Sequence, residues 1–456
     1  MMTGAVPFPL DVPELDFEAS GGTRIRRSIL PSGVRILSES VPGARSATIG
    51  FWFAVGSRDE YHDGAAASGF GSTHFLEHLL FKGTPSRSAL DIAIAFDSVG
   101  GDSNAMTAKE YTCYYAKVRD RDVPMAVRVL ADMVSNSVLD SGEFETERGV
   151  ILEELAQAAD DPGDVAGEAL FAAVFGDHPL GKPIGGTPET IAEASRDGVW
   201  RHYKQNYRPQ DLVICIAGSV DHDALVAELT VALTAAGWPL DQRVAPVPRR
   251  STAPATLSGT RDRVVISRPV EQVHVMLGMP ALVASDPERV TLSVLNAVLG
   301  GGMSSRLFSE IREKRGLAYS VYSFASAHSD AGLEGIYAAC SPRNADAVAE
   351  LARAELESVA TGGITDDELR RALGQISGRA ALGLEDSDVR MSLLGRAEIS
   401  LGEYQDLDEN LRRLARVSAA DVAAMAERLA AQPMSLVAVG AVDEDRFGSS
   451  RDRGVI

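Results

Sequence analysis

Two kinds of apolar spacing alternate along this chain. In ATIGFWFAVGS (47–57) and YTCYYAKV (111–118), aromatic and β-branched residues crowd short runs of strand character. In VPMAVRVLADMVSN (123–136) apolar residues return every three to four positions, the period of a helix with one buried face, and the run from Phe144 to Ala159 also reads as a helix. More than one helical stretch follows some strands, so strict βαβ alternation is not the pattern. The expectation is an α+β fold of mainly antiparallel sheets with helices packed on one face.

The plan occurs twice. Tyr115-Ala116 returns as Tyr337-Ala338, and the apolar run ending at Asp221 returns as one ending at Asp443, both 222 residues further on. One offset shared by two matches points to a duplicated domain. Between the halves, WPLDQRVAPVPRRSTAPATLS (238–258) has four prolines and little apolar periodicity, the composition of a linker. The reading is a flexible leader over 1–22, a first domain over 23–237, a linker over 238–258 and a homologous second domain over 259–456.

Composition narrows the function. The chain has 456 residues, 45% hydrophobic and 24% charged, as expected of a globular protein with room for two cores. No apolar run approaches the roughly 18 residues of a membrane span. The N-terminus has no basic-then-apolar signal pattern, so a cytoplasmic location is expected. Cys113, Cys215 and Cys340 are scattered in apolar stretches and read as buried thiols. A formal net charge of −20 argues against nucleic acid. The acidity is either a solubility surface or a cavity that attracts cationic peptides.

The chemistry is concentrated in GSTHFLEHLLFKGTP (71–85). Ser72 or Thr73 can cap a helix start, and Gly83 and Pro85 suit its end. On such a helix His74, Glu77 and His78 share an arc of about 100°, while Phe75, Leu76, Leu79 and Leu80 turn to the other side. Two imidazoles one turn apart can hold one zinc ion, and a carboxylate beside them can take a proton from water that the ion acidifies. This is H-x-x-E-H, the inverse of H-E-x-x-H. The plainer alternative is two histidines on an ordinary helix. Catalytic zinc needs a third protein ligand. In DSGEFETERGVILEEL (140–155), Glu147 and Glu154 are seven residues apart and project about 20° from one another, while Glu153 points about 100° away. Asp140 and Glu143 have capping-box spacing. Taken alone, the segment reads equally as a solvated acidic helix.

At HFLEHLLFKGT, GGDSNAMTAKEYTCYY and ERGVILEE, in this order and spacing, the sequence resembles the insulinase/pitrilysin family of inverted-motif zinc peptidases, and within it the processing-peptidase-like bacterial branch. The resemblance runs from about Ile29 to Asp443. It implies one Zn²⁺ per chain on His74, His78 and Glu154, with Glu77 as general base and Glu147 supporting the site. It further implies that Arg312 and Tyr319, in SSRLFSEIREKRGLAYSVYS (304–323), hold the substrate carbonyl and oxyanion. Both can donate to developing negative charge. Asn104 and Ala105 fall in the family's substrate-side strand, where an extended peptide would pair with an exposed edge.

In the second half His74, Glu77 and His78 fall on Asn296, Leu299 and Gly300, so only the first domain carries the metal motif. The implied function is a zinc metalloendopeptidase acting on peptides or unfolded segments, cationic ones preferred. The resemblance also implies a homodimer whose chamber takes Arg312 and Tyr319 from the partner chain. The alternative is a non-catalytic homologue serving as a scaffold or partner subunit. Such members usually lose a ligand or the base, and all four residues are kept here.

Overall fold

The computed structural model of the chain describes residues 4–60, 69–443 and 445–447. The chain divides into two compact units. The first comprises residues 1–155, 183–250 and 381–409, and the second 156–182, 251–380 and 410–456.

The first unit is built on seven strands: β1 (Glu14–Ala19), β2 (Thr23–Ile29), β3 (Arg35–Ser40), β4 (Ser46–Phe53), β5 (Asp102–Thr107), β6 (Thr112–Arg119) and β7 (Leu212–Gly218). Their order is β1-β2-β3-β7-β4-β6-β5, antiparallel except for β3 with β7. Helix α1 (Ser72–Leu80) lies between β4 and β5 in sequence, and α2 (Ser141–Asp160) follows β6 and a helix over Val123–Asn136. Pro124 near the start of that helix suits the first turn, where its missing N–H costs nothing.

The second unit has five strands: β8 (Arg263–Ser267), β9 (Val273–Ala281), β10 (Ala318–Ala327), β11 (Gly332–Cys340) and β12 (Ser435–Gly440). Their order is β10-β11-β9-β12-β8, with only β12 and β8 parallel. Strand for strand this repeats β5-β6-β4-β7-β3. Helix α3 (Arg289–Gly300) stands between β9 and β10 as α1 stands between β4 and β5. Two homologous α+β units with mainly antiparallel sheets are therefore present, as the 222-residue repeat implied.

In each unit the main core joins one sheet face to helices. Phe51, Phe53, Tyr114 and Ala116 meet Phe75, Leu76, Leu79 and Leu80 of α1 in the first. Leu277, Ile336 and Ala338 meet Leu292, Leu295 and Leu299 of α3 in the second. A single helical segment also covers part of each reverse face, and it comes from the other half of the sequence. In the first unit Ser387–Arg396 packs Met391 and Leu394 on Trp52, Cys113 and Cys215, with the Trp52 indole N–H donating to Met391 Sδ at 3.2 Å. In the second, Pro162–Phe175 packs Leu170 and Val174 on Met276, Leu333 and Val437. Gly395 and Gly278 permit these close approaches. A Cβ at Gly395 would lie 2.6 Å from the Trp52 ring, and one at Gly278 would lie 2.7 Å from Leu170 Cδ1.

Two expectations change. Residues 1–22 are not a flexible leader over their described part: β1 pairs along β2, Val6–Pro7 pairs with Glu403–Tyr404, and Phe8 is fully buried. The cause is the alternation in LDFEA, which turns Leu15, Phe17 and Ala19 onto the reverse-face core. Nor do the units part at one cut over 238–258. That stretch has no helix or regular strand, but each unit also takes in the reverse-face helix just described. Cys113, Cys215 and Cys340 are buried free thiols, as expected. Among the described residues no helix is long and apolar enough to cross a membrane.

Candidate metal centre

Helix α1 is fixed by its apolar side. Phe75, Leu76, Leu79 and Leu80 are fully buried, while His74, Glu77 and His78 on the other side are partly accessible. The rings of His74 and His78 stand edge to face, with their Nε2 atoms 3.3 Å apart. Helix α2 brings Glu154 to them: its Oε2 lies 3.5 Å from His78 Nε2 and 3.9 Å from His74 Nε2. Among the described residues these three form the one group of His, Cys, Asp or Glu donors close enough to share an ion, all within 4.8 Å. Around a tetrahedral zinc with bonds near 2.0–2.1 Å, neighbouring donors stand about 3.3–3.4 Å apart. The donor set and spacing fit zinc, with Glu154 needing to close only slightly.

Glu147, two turns before Glu154, is 3% exposed. Its Oε2 lies 2.9 Å from His78 Nδ1 and its Oε1 2.7 Å from Lys82 Nζ. Burial opposes its charge, yet the Lys82 and His78 contacts hold its carboxyl below the usual range. An ionised Glu147 orders the ring by accepting from Nδ1–H, which leaves Nε2 free to ligate. Burial, with His78 beside it, lowers the His74 pKa to about 4, so this ring is neutral and ready to bind at ordinary pH. Burial pushes Glu77 the other way, above its usual value, against a hydrogen bond from the Thr107 hydroxyl at the end of β5. A carboxylate so raised is a better proton acceptor and a readier donor afterwards. Glu153 contributes no donor to the group.

The remaining expected residues lie elsewhere. Asn104 and Ala105 sit on β5, the edge strand, which among the described residues pairs only with β6. Asn104 is exposed, and its Oδ1 accepts from the Ala105 amide at 2.8 Å. Arg312 and Tyr319 are in the second unit and adjacent, the guanidinium 4.7 Å from the phenol ring centroid. Tyr319 is 74% exposed.

Three contributors escaped sequence reasoning. Lys82 had a signal, since it lies four residues, the length of one helical turn, after His78. Thr107 closes the substrate-strand segment, but nothing in its neighbours pairs it with Glu77. The third is Glu60. Ser72 and Thr73 do not cap α1. Gly71 is the cap position, in the left-handed region at φ 91° and with no side-chain cap, and the Glu60 carboxylate accepts from the amides of Gly71 and Thr73 instead.

Comparison with known proteins places these features in a family. Residues 35–188 match the family described as Insulinase (Peptidase family M16), and residues 193–376 the one described as Peptidase M16 inactive domain. A protein of Streptomyces coelicolor described as an uncharacterized zinc protease is 45% identical over 94% of this chain and 92% of its own length. One of Mycobacterium tuberculosis, described in the same words, is 44% identical over 91% and 93%, and one of Bacillus subtilis is 36% identical over 91% and 98%. Among solved structures, a peptidase M16 inactive domain from Pseudomonas fluorescens superposes with a TM-score of 0.80 at 20% identity, covering 95% of this chain and 99% of that one. A protease from Helicobacter pylori gives a TM-score of 0.80 at 20% identity, covering 95% and 100%. At that identity the two structures speak for the fold alone.

Proposed function

This chain belongs to the insulinase family of peptidases, M16, and on that premise we propose that it is a zinc-dependent metalloendopeptidase acting on peptides or unfolded polypeptide segments. The single observation that carries the reading is the convergence of His74 Nε2, His78 Nε2 and Glu154 Oε2 beside a carboxylate of raised pKa. The naming of its relatives as zinc proteases supports it.

His74, His78 and Glu154 would hold the ion, with Glu147 and Lys82 ordering His78. Zinc bound there would supply Lewis acidity, bringing the pKa of water toward neutral and polarising a carbonyl. Glu77 takes the proton from the attacking water on its carboxylate and returns it to the leaving amine. Thr107 aims that carboxylate. The edge of β5, around Asn104 and Ala105, holds the peptide extended. Arg312 and Tyr319 donate to the carbonyl and the developing oxyanion. The test is cleavage of a random peptide library with and without chelator, using Glu77→Gln as control. A zinc-loaded wild type that cleaves nothing would favour the scaffold reading.

The finer parts of the proposal are a homodimer and a cationic substrate. One chain carries both the metal residues and the Arg312–Tyr319 pair, so two copies can complete each other. Mixing Glu77→Gln with Tyr319→Phe chains should restore about one site per mixed dimer. No recovery despite subunit exchange would place the pair in the same chain as its zinc. The net charge of −20 favours cationic peptides, a preference that should shrink as salt rises.

A further inference from the structure

Helix α1 starts without a cap of its own, so its first amides need acceptors from elsewhere. Glu60 supplies them. Its Oε2 accepts from the Gly71 amide and its Oε1 from the Thr73 amide, each at 2.7 Å, and the residue is 5% exposed. Burial drives this carboxyl up to about 7 although both amides favour its ionised form. A serine or aspartate cannot take the cap position, where φ is 91° and a Cβ would lie 2.6 Å from Ile191 Cδ1 and 2.7 Å from the Gly185 oxygen, so the acceptor has to come from outside the helix. Capping accounts for the two amide bonds but not for the contacts that hold Glu60 itself in place, and these give it a second task.

The task is visible in what holds Glu60. It follows a single helical turn, Ser57–Asp59, in which Asp59 Oδ2 accepts from the Gly56 amide at 2.9 Å. The amides of Ser57 and Arg58 donate to the carbonyls of Ala108 and Lys109 at 3.1 and 3.0 Å, and Arg58 pairs with Glu110 at 2.6 Å. There is no slack, because a Cβ on Gly56 would lie 2.4 Å from the Ala108 oxygen. Residues 108–111 are the turn of the β5–β6 hairpin. One short turn thus fastens the start of the metal helix to the hairpin whose edge strand faces outward.

We infer that Glu60 is a positioning residue that sets the register of His74 and Glu77 against the β5 edge, coupling the metal centre to the strand that receives the peptide. The inference rests on the zinc-peptidase reading. Thr107, which ends β5 and donates to Glu77, gives the same hairpin a second hold on the helix. With both holds in place, a peptide laid along β5 presents its backbone at a fixed height beside Glu77. With Glu60 loosened, the first turn of α1, which carries His74, is free to shift.

The test is Glu60→Gln, which keeps size and one acceptor but turns an NH₂ group toward one of the two amides. Zn²⁺ affinity, measured by competition with a chromogenic chelator, should fall about 10-fold or more, and kcat about 10- to 100-fold, the range seen when an outer partner of a metal site is lost. KM should change little. Glu60→Asp, which keeps the charge and both oxygens, should recover part of each loss. A lowered melting temperature with wild-type zinc affinity and kcat would reduce Glu60 to an ordinary cap and overturn the inference. Arg58→Gln loosens the same turn without touching Glu60, so it serves where Glu60→Gln does not fold. It should show the same pattern, weaker, and unaltered zinc affinity and kcat would count equally against the idea. A wild type that binds no zinc overturns the peptidase reading and this inference with it. Wild-type zinc binding beside an unaltered Glu60→Gln overturns only the clamp.

Discussion

Helices α1 and α3 hold the same place in two copies of one topology, yet one presents histidine and carboxylate groups on an open side and the other is sealed. On α1 the polar side opens to His74, Glu77 and His78. On α3 the corresponding positions are Asn296, Leu299 and Gly300. Asn296 donates to Glu334 Oε2 at 2.9 Å, and Glu334 is 1% exposed, its carboxyl pushed well above the usual range by burial. Leu299 is fully buried. Gly300 lets α3 press onto β10, since a Cβ there would lie 2.1 Å from the Ser323 amide nitrogen. The difference teaches that a fold of this kind does not by itself create a metal site. A site needs a gap between helix and edge strand, and the second unit has closed that gap with a glycine and a neutral polar pair.

The comparison breaks most sharply at Glu77. Glu77→Gln should lower kcat by about 10²–10⁴-fold while zinc content, by elemental analysis, stays near one per chain. Leu299→Gln, its counterpart on α3, should act on stability and not on the turnover of folded protein. Equal losses of kcat in the two variants would mean that the two helices are not chemically distinct.

Metal affinity sharpens the contrast within the first unit. His78→Ala should weaken zinc binding at least about 100-fold. Glu147→Gln should cost about 10- to 100-fold, as expected for a partner that orders a ligand. Glu154→Gln should weaken binding, whereas Glu153→Gln should leave it near wild type. If Glu153→Gln releases as much zinc as Glu154→Gln, Glu154 is not the single third ligand. Chelator competition reads all four.

Much of this centre was legible, because spacing on one helix is local information. The packed side of α1 and the shared side of Glu147 and Glu154 follow from 100° per residue, and the 222-residue offset survives as matching strand orders. What could not be read depends on chain segments meeting far from their sequence neighbours. Pro162–Phe175 and Ser387–Arg396 are short helices like any other, and nothing in their composition says which sheet they cover. Residues 1–22 read as a leader because LDFEA is short and acidic, so its alternation is outweighed by the prolines around it. Glu60 caps a helix that begins twelve residues later, and a cap of that kind leaves no motif.

The sealed helix makes its own prediction. Gly300→Ala should destabilise the second unit by about 1–3 kcal/mol, the usual range for forcing atoms into a packed interior. It should lower the melting temperature without lowering zinc content. A neutral result would mean that α3 can move off β10, and that closure is not what separates it from α1.

The last contrast is in pH dependence, where buried groups in the two units have opposite signs. In the first unit His202 is 2% exposed, and burial lowers its pKa to about 4. Asn206 Nδ2 lies 3.3 Å from its Nδ1 and Thr73 Oγ1 lies 3.2 Å from its Nε2. A neutral ring satisfies both by accepting at Nδ1 and donating at Nε2, and protonation would break the first. The unfolded chain takes up this proton near pH 6.5, so His202 contributes its full stability above that pH and loses it as pH falls toward 4. Relative to His202→Gln, the wild type should therefore lose about 2–3 kcal/mol on acidification across that window. Glu334 works in reverse: its folded pKa is raised, so its contribution is complete below the unfolded value of about 4.5 and is lost as pH rises. Relative to Glu334→Gln, the wild type should gain stability as pH falls from 7 to 4.5. Hydrogen exchange of peptides covering 196–206 and 332–340, followed across pH in the wild type and both variants, reads the two slopes separately. Parallel slopes would mean that one of these buried groups holds the charge state opposite to the one assigned, and the contrast between an open and a sealed helix would then lose its electrostatic half.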